Sequence, residues 1–148
     1  MTSRPNFFVG IRLSSDSLAS KFSAIQDKII ERAPKLHKCR MNVKKLHLTC
    51  FVLTLNSEDH IKAASDCLLN FQSYLSDIFA VASKEVSFND INSFSTKVLF
   101  CPPVESETLS LLTEITKQLQ QQFINTGLMD CKIHHSLEKW TPHATILK

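Results

Sequence analysis

Leu46-His47-Leu48-Thr49-Cys50-Phe51-Val52 decides the fold, together with an echo near the other end, Pro142-His143-Ala144-Thr145-Ile146-Leu147. Each sets a histidine and a threonine two residues apart in a run of apolar, partly β-branched residues. Such runs read as strands. Side chains alternate along a strand, so His47 and Thr49 share one face, and His143 and Thr145 share another. Leu48, Cys50, Ala144 and Ile146 turn the opposite way, toward packing. Two such strands facing one another would supply an acid, a base and two hydroxyl donors.

Around these stretches the pattern reads β-α-β, α, β-β, α, β-β. Phe7 to Leu13 forms a first strand. Ser14 to Ser17 offer caps, Asp16 a good candidate among them, for a helix whose stripe is Leu18, Phe22, Ile25 and Ile29, stopped before Pro34. Residues 34–45 form a basic connection without an acid, carrying Lys35, His37, Lys38, Arg40, Lys44 and Lys45. It reads either as a solvated loop or as an electrostatic lip that draws in phosphate. By alternation Lys45 shares the face of His47. Ser57 caps a second helix with stripe Ile61, Ala64, Leu68, Phe71 and Leu75. Val81 to Ile91 and Phe94 to Cys101 read as strands around an Asn92-Ser93 turn, ended by Pro102-Pro103. A third helix runs from about Glu105 to Gly127 with Leu109, Leu112, Ile115, Leu119 and Phe123 inward, and Gln118, Gln120, Gln121 and Gln122 mainly outward. Leu128 to Ile133 suggests another strand, and His134 to Lys139 a polar turn before the final strand. A strand-helix-strand unit thus ends in a histidine strand near each end, which points to two similar α+β lobes with the site in the cleft between them.

The 148 residues suit one domain, 1–148, and 43% hydrophobic with 21% charged residues is a soluble, core-forming balance. Two glycines, and neither G-x-G-x-x-G nor G-x-x-x-x-G-K-[ST], argue against Rossmann or P-loop nucleotide binding. A net charge of +3 permits an anionic ligand without demanding nucleic acid. The five cysteines form no C-x-x-C pair, so neither a disulfide framework nor a zinc ribbon is expected, and a reducing, cytoplasmic setting, with the nucleus as the alternative, fits them. No apolar run is long enough to span a membrane, and the N-terminus lacks a secretory core.

The residues alone leave other readings open. His47 and His143 read equally as satisfied polar residues at strand ends. A third match, His134-His135-Ser136, fits H-x-S and is discounted because Leu137-Glu138-Lys139 does not continue a buried strand. Zinc is disfavoured because threonine is a poor ligand and the histidines and cysteines lack its spacing. Trp140 could stack on a nucleobase or pack between lobes, and Phe94 could line the cleft or belong to the core.

His47-Leu48-Thr49-Cys50 and His143-Ala144-Thr145-Ile146 resemble the paired H-x-T-x signature of the 2H phosphoesterase superfamily. Arg4-Pro5-Asn6-Phe7-Phe8 and Lys45-Leu46-His47-Leu48-Thr49 resemble the branch containing the central domain of a protein-kinase-A anchoring protein and leukocyte-receptor-cluster-like phosphoesterase domains. The resemblance implies a bilobal α+β fold, with two pseudo-symmetric lobes of antiparallel sheet, helices outside and a central cleft. It implies a hydrolase that needs no metal and no cofactor and acts on 2′,3′-cyclic phosphates of nucleotides or RNA 3′-ends, or alternatively on 2′,5′-oligoadenylates. A non-catalytic nucleotide-binding module is a further alternative. His47, Thr49, His143 and Thr145 would be catalytic, and Lys45, Trp140 and Phe94 would bind substrate. A monomer is expected, able to stand as a domain within a larger protein.

Overall fold

Apolar alternation and helical periodicity organise a computed structural model that describes residues 4–81, 85–129 and 140–148. The order is β1 (Phe7–Arg12), α1 (Asp16–Arg32), two 3₁₀ turns (Pro34–Cys39 and Val43–Lys45), β2 (His47–Leu53), α2 (Glu58–Val81), β3 (Asn92–Phe94), β4 (Val98–Cys101), α3 (Glu107–Asn125) and β5 (Ala144–Leu147). Strands β1 and β2 form one sheet, and β3-β4-β5 form a second, antiparallel one. The mixed α+β class with antiparallel sheets is as expected, and each H-x-T stretch lies at a strand of a different sheet.

The chain divides into two compact units, 1–9 with 50–86 and 105–140, and 10–49 with 87–104 and 141–148. The expected single histidine strand per lobe therefore holds for the sheets but not for these units. His47, Thr49, His143 and Thr145 all fall in the second unit, because the chain passes from one unit to the other between Thr49 and Cys50.

In the second unit, Phe22, Leu46, Leu48, Cys101, Ala144, Ile146 and Leu147 make one buried cluster, with Ile11, Leu13, Ile25, Phe88 and Leu99 packed against it. The cap on α1 is Ser15, whose hydroxyl accepts from the Leu18 N–H, with Asp16 in the first turn. Gln26 is fully buried on that helix. Its Nε2 donates to the Met41 carbonyl at 2.9 Å and the Ile146 carbonyl at 3.0 Å, tying α1 to the basic connection and to β5. Arg40 Nη1 is 2.6 Å from Asp27 Oδ1, and Nη2 donates to Ser23 Oγ.

In the first unit the Asn6 side chain brackets the Leu55 backbone, donating to its carbonyl at 2.8 Å and accepting from its N–H at 2.9 Å. Phe51 and Phe123 meet edge to face at 5.3 Å. The buried face of α2 is Ala64, Cys67 and Phe71, whereas Ile61 and Leu68, expected inside, are 38% and 41% exposed. Ala64 and Phe71 are inside as expected, and Cys67, not Leu68, supplies the step between them.

Three further expectations are corrected. Helix α2 continues to Val81, so no strand starts there, and Asn92-Ser93 lies in β3. The turn falls at Ser95, which adopts φ 51, a left-handed value rare outside glycine. Among the described residues, 85–91 form no named strand; an isolated Phe88–Pro103 bridge and a Val104 N–H to Ser87 carbonyl bond of 2.7 Å join them to 103–104. Pro102 and Pro103 have no N–H to extend that ladder. Gln120 is buried on α3, not outward. The strand expected at Leu128 to Ile133 and the turn at His134 to Lys139 fall largely outside the described residues.

Replacing Gln26 by alanine removes a donor from the Met41 and Ile146 carbonyls, the latter still accepting from the Met41 N–H at 3.4 Å. We expect a loss of about 1–3 kcal/mol, the net worth of two hydrogen bonds, read as a lower midpoint in urea unfolding with an unchanged slope.

Candidate active site

Strand β2 starts at His47, one residue after the 3₁₀ turn Val43–Lys45, whose cap Asn42 accepts at Oδ1 from the Lys44 N–H at 3.0 Å. His47 is half-buried, Leu48 buried and Thr49 half-buried, as alternation requires, but the pattern then shifts: Cys50, expected inward, is half-buried, and Phe51 and Leu53 are buried. At the other end His143 immediately precedes β5, so it sits at the strand's mouth and not inside it. Ala144 and Ile146 are buried, and Thr145 between them is half-buried. Leu46, Leu48, Ala144 and Ile146 all belong to the same cluster, so the buried sides of both H-x-T stretches rest on one core.

The two histidines are held alike. His47 Nδ1 lies 2.9 Å from the Lys45 carbonyl oxygen, and His143 Nδ1 lies 3.0 Å from the Thr141 carbonyl oxygen. A carbonyl only accepts, so each contact is a hydrogen bond when Nδ1 carries the hydrogen, which leaves Nε2 as the acceptor nitrogen of the neutral ring. The main chain two residues upstream thus sets both tautomers.

Aromatic rings wall one histidine. His143 meets Phe94 at 4.9 Å and Phe100 at 5.2 Å, both edge-on, while Phe94 stacks on Phe100 at 4.1 Å. The β4–β5 register sets Phe100 opposite Thr145, on the same face. Phe94 is 39% exposed, so the structure brings this expected substrate contact beside His143. Phe100 reads from sequence as core; only its cross-strand position reveals that it also touches the imidazole.

Lys45 differs from expectation. It lies in the 3₁₀ turn and not on the strand, so alternation does not carry its side chain to the His47 face; what reaches His47 is its carbonyl. Trp140 is half-buried and falls in the first unit. His134-His135-Ser136 lies outside the described residues.

Three cysteines are held away from the nucleophilic thiolate. Burial pushes the Cys50 thiol up, against a smaller lowering from the Thr116 hydroxyl, and burial likewise raises Cys67 and Cys101. Among the described residues no group of three or more His, Cys, Asp or Glu could hold a metal ion, and no helix is long and apolar enough to cross a membrane.

Known proteins share this architecture. A family model described as the AKAP7 2'5' RNA ligase-like domain matches residues 5–148. Human A-kinase anchor protein 7 isoform gamma is 23% identical over 145 residues, covering 98% of this chain and 40% of its own length. This chain thus spans about two fifths of that relative. Apo E. coli LigT superposes with a TM-score of 0.61 at 16% identity, covering 99% of this chain and 73% of LigT. LigT complexed with 3'-AMP gives 0.58 at the same identity and coverage. A structure described as a phosphoesterase gives 0.55 at 18%, covering 98% of this chain and 73% of the other. With both H-x-T stretches inside the matched span and the LigT-type 2H phosphoesterase fold around them, the chain belongs to the AKAP7 2'5' RNA ligase-like domain family.

Proposed function

We propose that this domain is a metal-independent phosphodiesterase that hydrolyses 2′,3′-cyclic phosphates of nucleotides or RNA ends. One observation carries the reading: His47 and His143 are held by the same Nδ1–carbonyl contact on stretches that pack into one core cluster. Phosphodiesterase chemistry is also the kind its family supports.

In the proposed reaction water attacks phosphorus while one Nε2, unprotonated, takes its proton. The second imidazole, protonated at Nε2, gives its proton to the departing ribose oxygen. A new P–O bond forms, the P–O2′ or P–O3′ bond breaks, and a phosphomonoester results. Neutral imidazole with hydrogen on Nδ1 is the form that offers Nε2 as base, and the upstream carbonyls favour that form. Thr49 and Thr145 donate to the non-bridging oxygens and orient the group. Phe94, exposed beside His143, offers a ring face to a base. Trp140 is a second stacking candidate, and Lys45 an electrostatic one at the mouth of β2. Anionic phosphate holds the acid protonated.

The family's description, a 2'5' RNA ligase-like domain, favours a second reading in which the same groups cleave 2′,5′-linked oligoadenylates. LigT has been crystallised with 3'-AMP, a nucleotide of the size that either reading requires. A nucleotide-binding module without turnover is the alternative outside catalysis.

Assay of 2′,3′-cyclic AMP and a 2′,5′-linked adenylate side by side separates these. His47→Ala and His143→Ala should each lower kcat by roughly 10²–10⁴ while the melting temperature holds. Turnover of the 2′,5′ linkage alone selects the second reading, and equal background rates in parent and variants select the binding module. The rate should persist in excess chelator, and kcat/KM should trace a bell against pH, one limb from each imidazole. Loss in chelator with recovery on adding zinc defeats the mechanism.

A further inference from the structure

We propose that Arg12, at the end of β1, is a phosphate-binding residue of the His47 site, a role that rests on the phosphodiester reading above. The Leu13 N–H donates to the Leu46 carbonyl at 2.9 Å, and the Asn6 N–H to the Leu53 carbonyl at 3.0 Å. The two strands therefore run antiparallel; the two bonds start an odd number of residues apart, so the ladder is irregular between them, and it is the Leu13–Leu46 bond alone that sets Arg12 across from His47 at this end. Burial independently fixes the face. Ile11 and Leu13 pack against the cluster that contains Leu46 and Leu48. The side chains between them, Arg12 on one strand and His47 on the other, emerge together on the opposite side. Residues opposed in this way have Cβ atoms about 4.5–5.5 Å apart, well within the span of an arginine side chain.

The charge at this position is uncommitted. Arg12 is exposed, and among the described residues it enters no ion pair, whereas Arg40 is neutralised by Asp27 and Lys62 by Asp66. A guanidinium is always charged and its planar fork fits two phosphate oxygens at once. Lys45, the basic residue nearest His47 in sequence, lies instead in the 3₁₀ turn. Arg12 therefore supplies the positive charge on the face that His47 and Thr49 occupy, and it distinguishes a phosphorylated ligand from the bare nucleoside.

The test compares parent, Arg12→Gln and Arg12→Lys in turnover of 2′,3′-cyclic AMP and in inhibition by inorganic phosphate and by adenosine. Calorimetric titration with 3'-AMP gives a readout that does not need turnover. Arg12→Gln should raise KM and the phosphate Ki about tenfold, as loss of a charge-assisted bond does, with kcat and adenosine inhibition near the parent values. Arg12→Lys should recover part of the loss. An active parent with an unchanged KM and Ki in Arg12→Gln overturns this role and leaves the phosphodiester reading intact. So does a uniform fall in kcat with a lowered melting temperature, which marks Arg12 as structural. A parent that binds 3'-AMP without turning over substrate, and loses that binding in Arg12→Gln, upholds Arg12 and overturns the catalytic reading. A parent that neither binds nor turns over overturns both.

Discussion

The molecule depends on one apolar cluster that two distant stretches of chain must share. Leu46 and Leu48 enter it from β2, and Ala144 and Ile146 from β5, with Phe22 of α1 closing it. Strand alternation then forces His47 and Thr49, and His143 and Thr145, onto the other sides of those stretches. The polar groups need no attraction for one another to be assembled. Burial of roughly 25 cal/mol per Å² of apolar surface organises them, and the chemistry occupies what the core leaves outside.

Gln26 is the polar counterpart of that cluster. Both hydrogens of its Nε2 are used, on carbonyls from the basic connection and β5, whereas its buried Oε1 has no hydrogen-bond partner among the described residues. The backbone of 39–41 lies along the last strand, with the Lys148 N–H donating to the Cys39 carbonyl at 2.9 Å. The long basic segment is thereby fixed to the element that follows His143.

Much of this was legible from residue order alone, for definite reasons. The H-x-T stretches announce themselves because apolar neighbours of period two leave only one face for the polar pair. The stripe of α1 is equally plain. Elsewhere local pattern was insufficient. Ile78-Phe79-Ala80-Val81 suits helix or strand alike, and the structure carries the helix through all four. Ser95 turns the β3–β4 hairpin at a positive φ that serine does not advertise. Lys45 was misplaced because alternation was extended backward past the first strand residue into a 3₁₀ turn. The contact of Phe100 with His143 depends on cross-strand register, which the sequence does not state.

The manner in which both imidazoles are anchored has an evolutionary corollary. Every amino acid carries a carbonyl, so the acceptors at positions 45 and 141 survive any exchange of side chain there. Ring orientation is thus insulated from drift at the very positions that set it. A comparison of related chains could find those two columns freely varied while the tautomer they enforce stays constant.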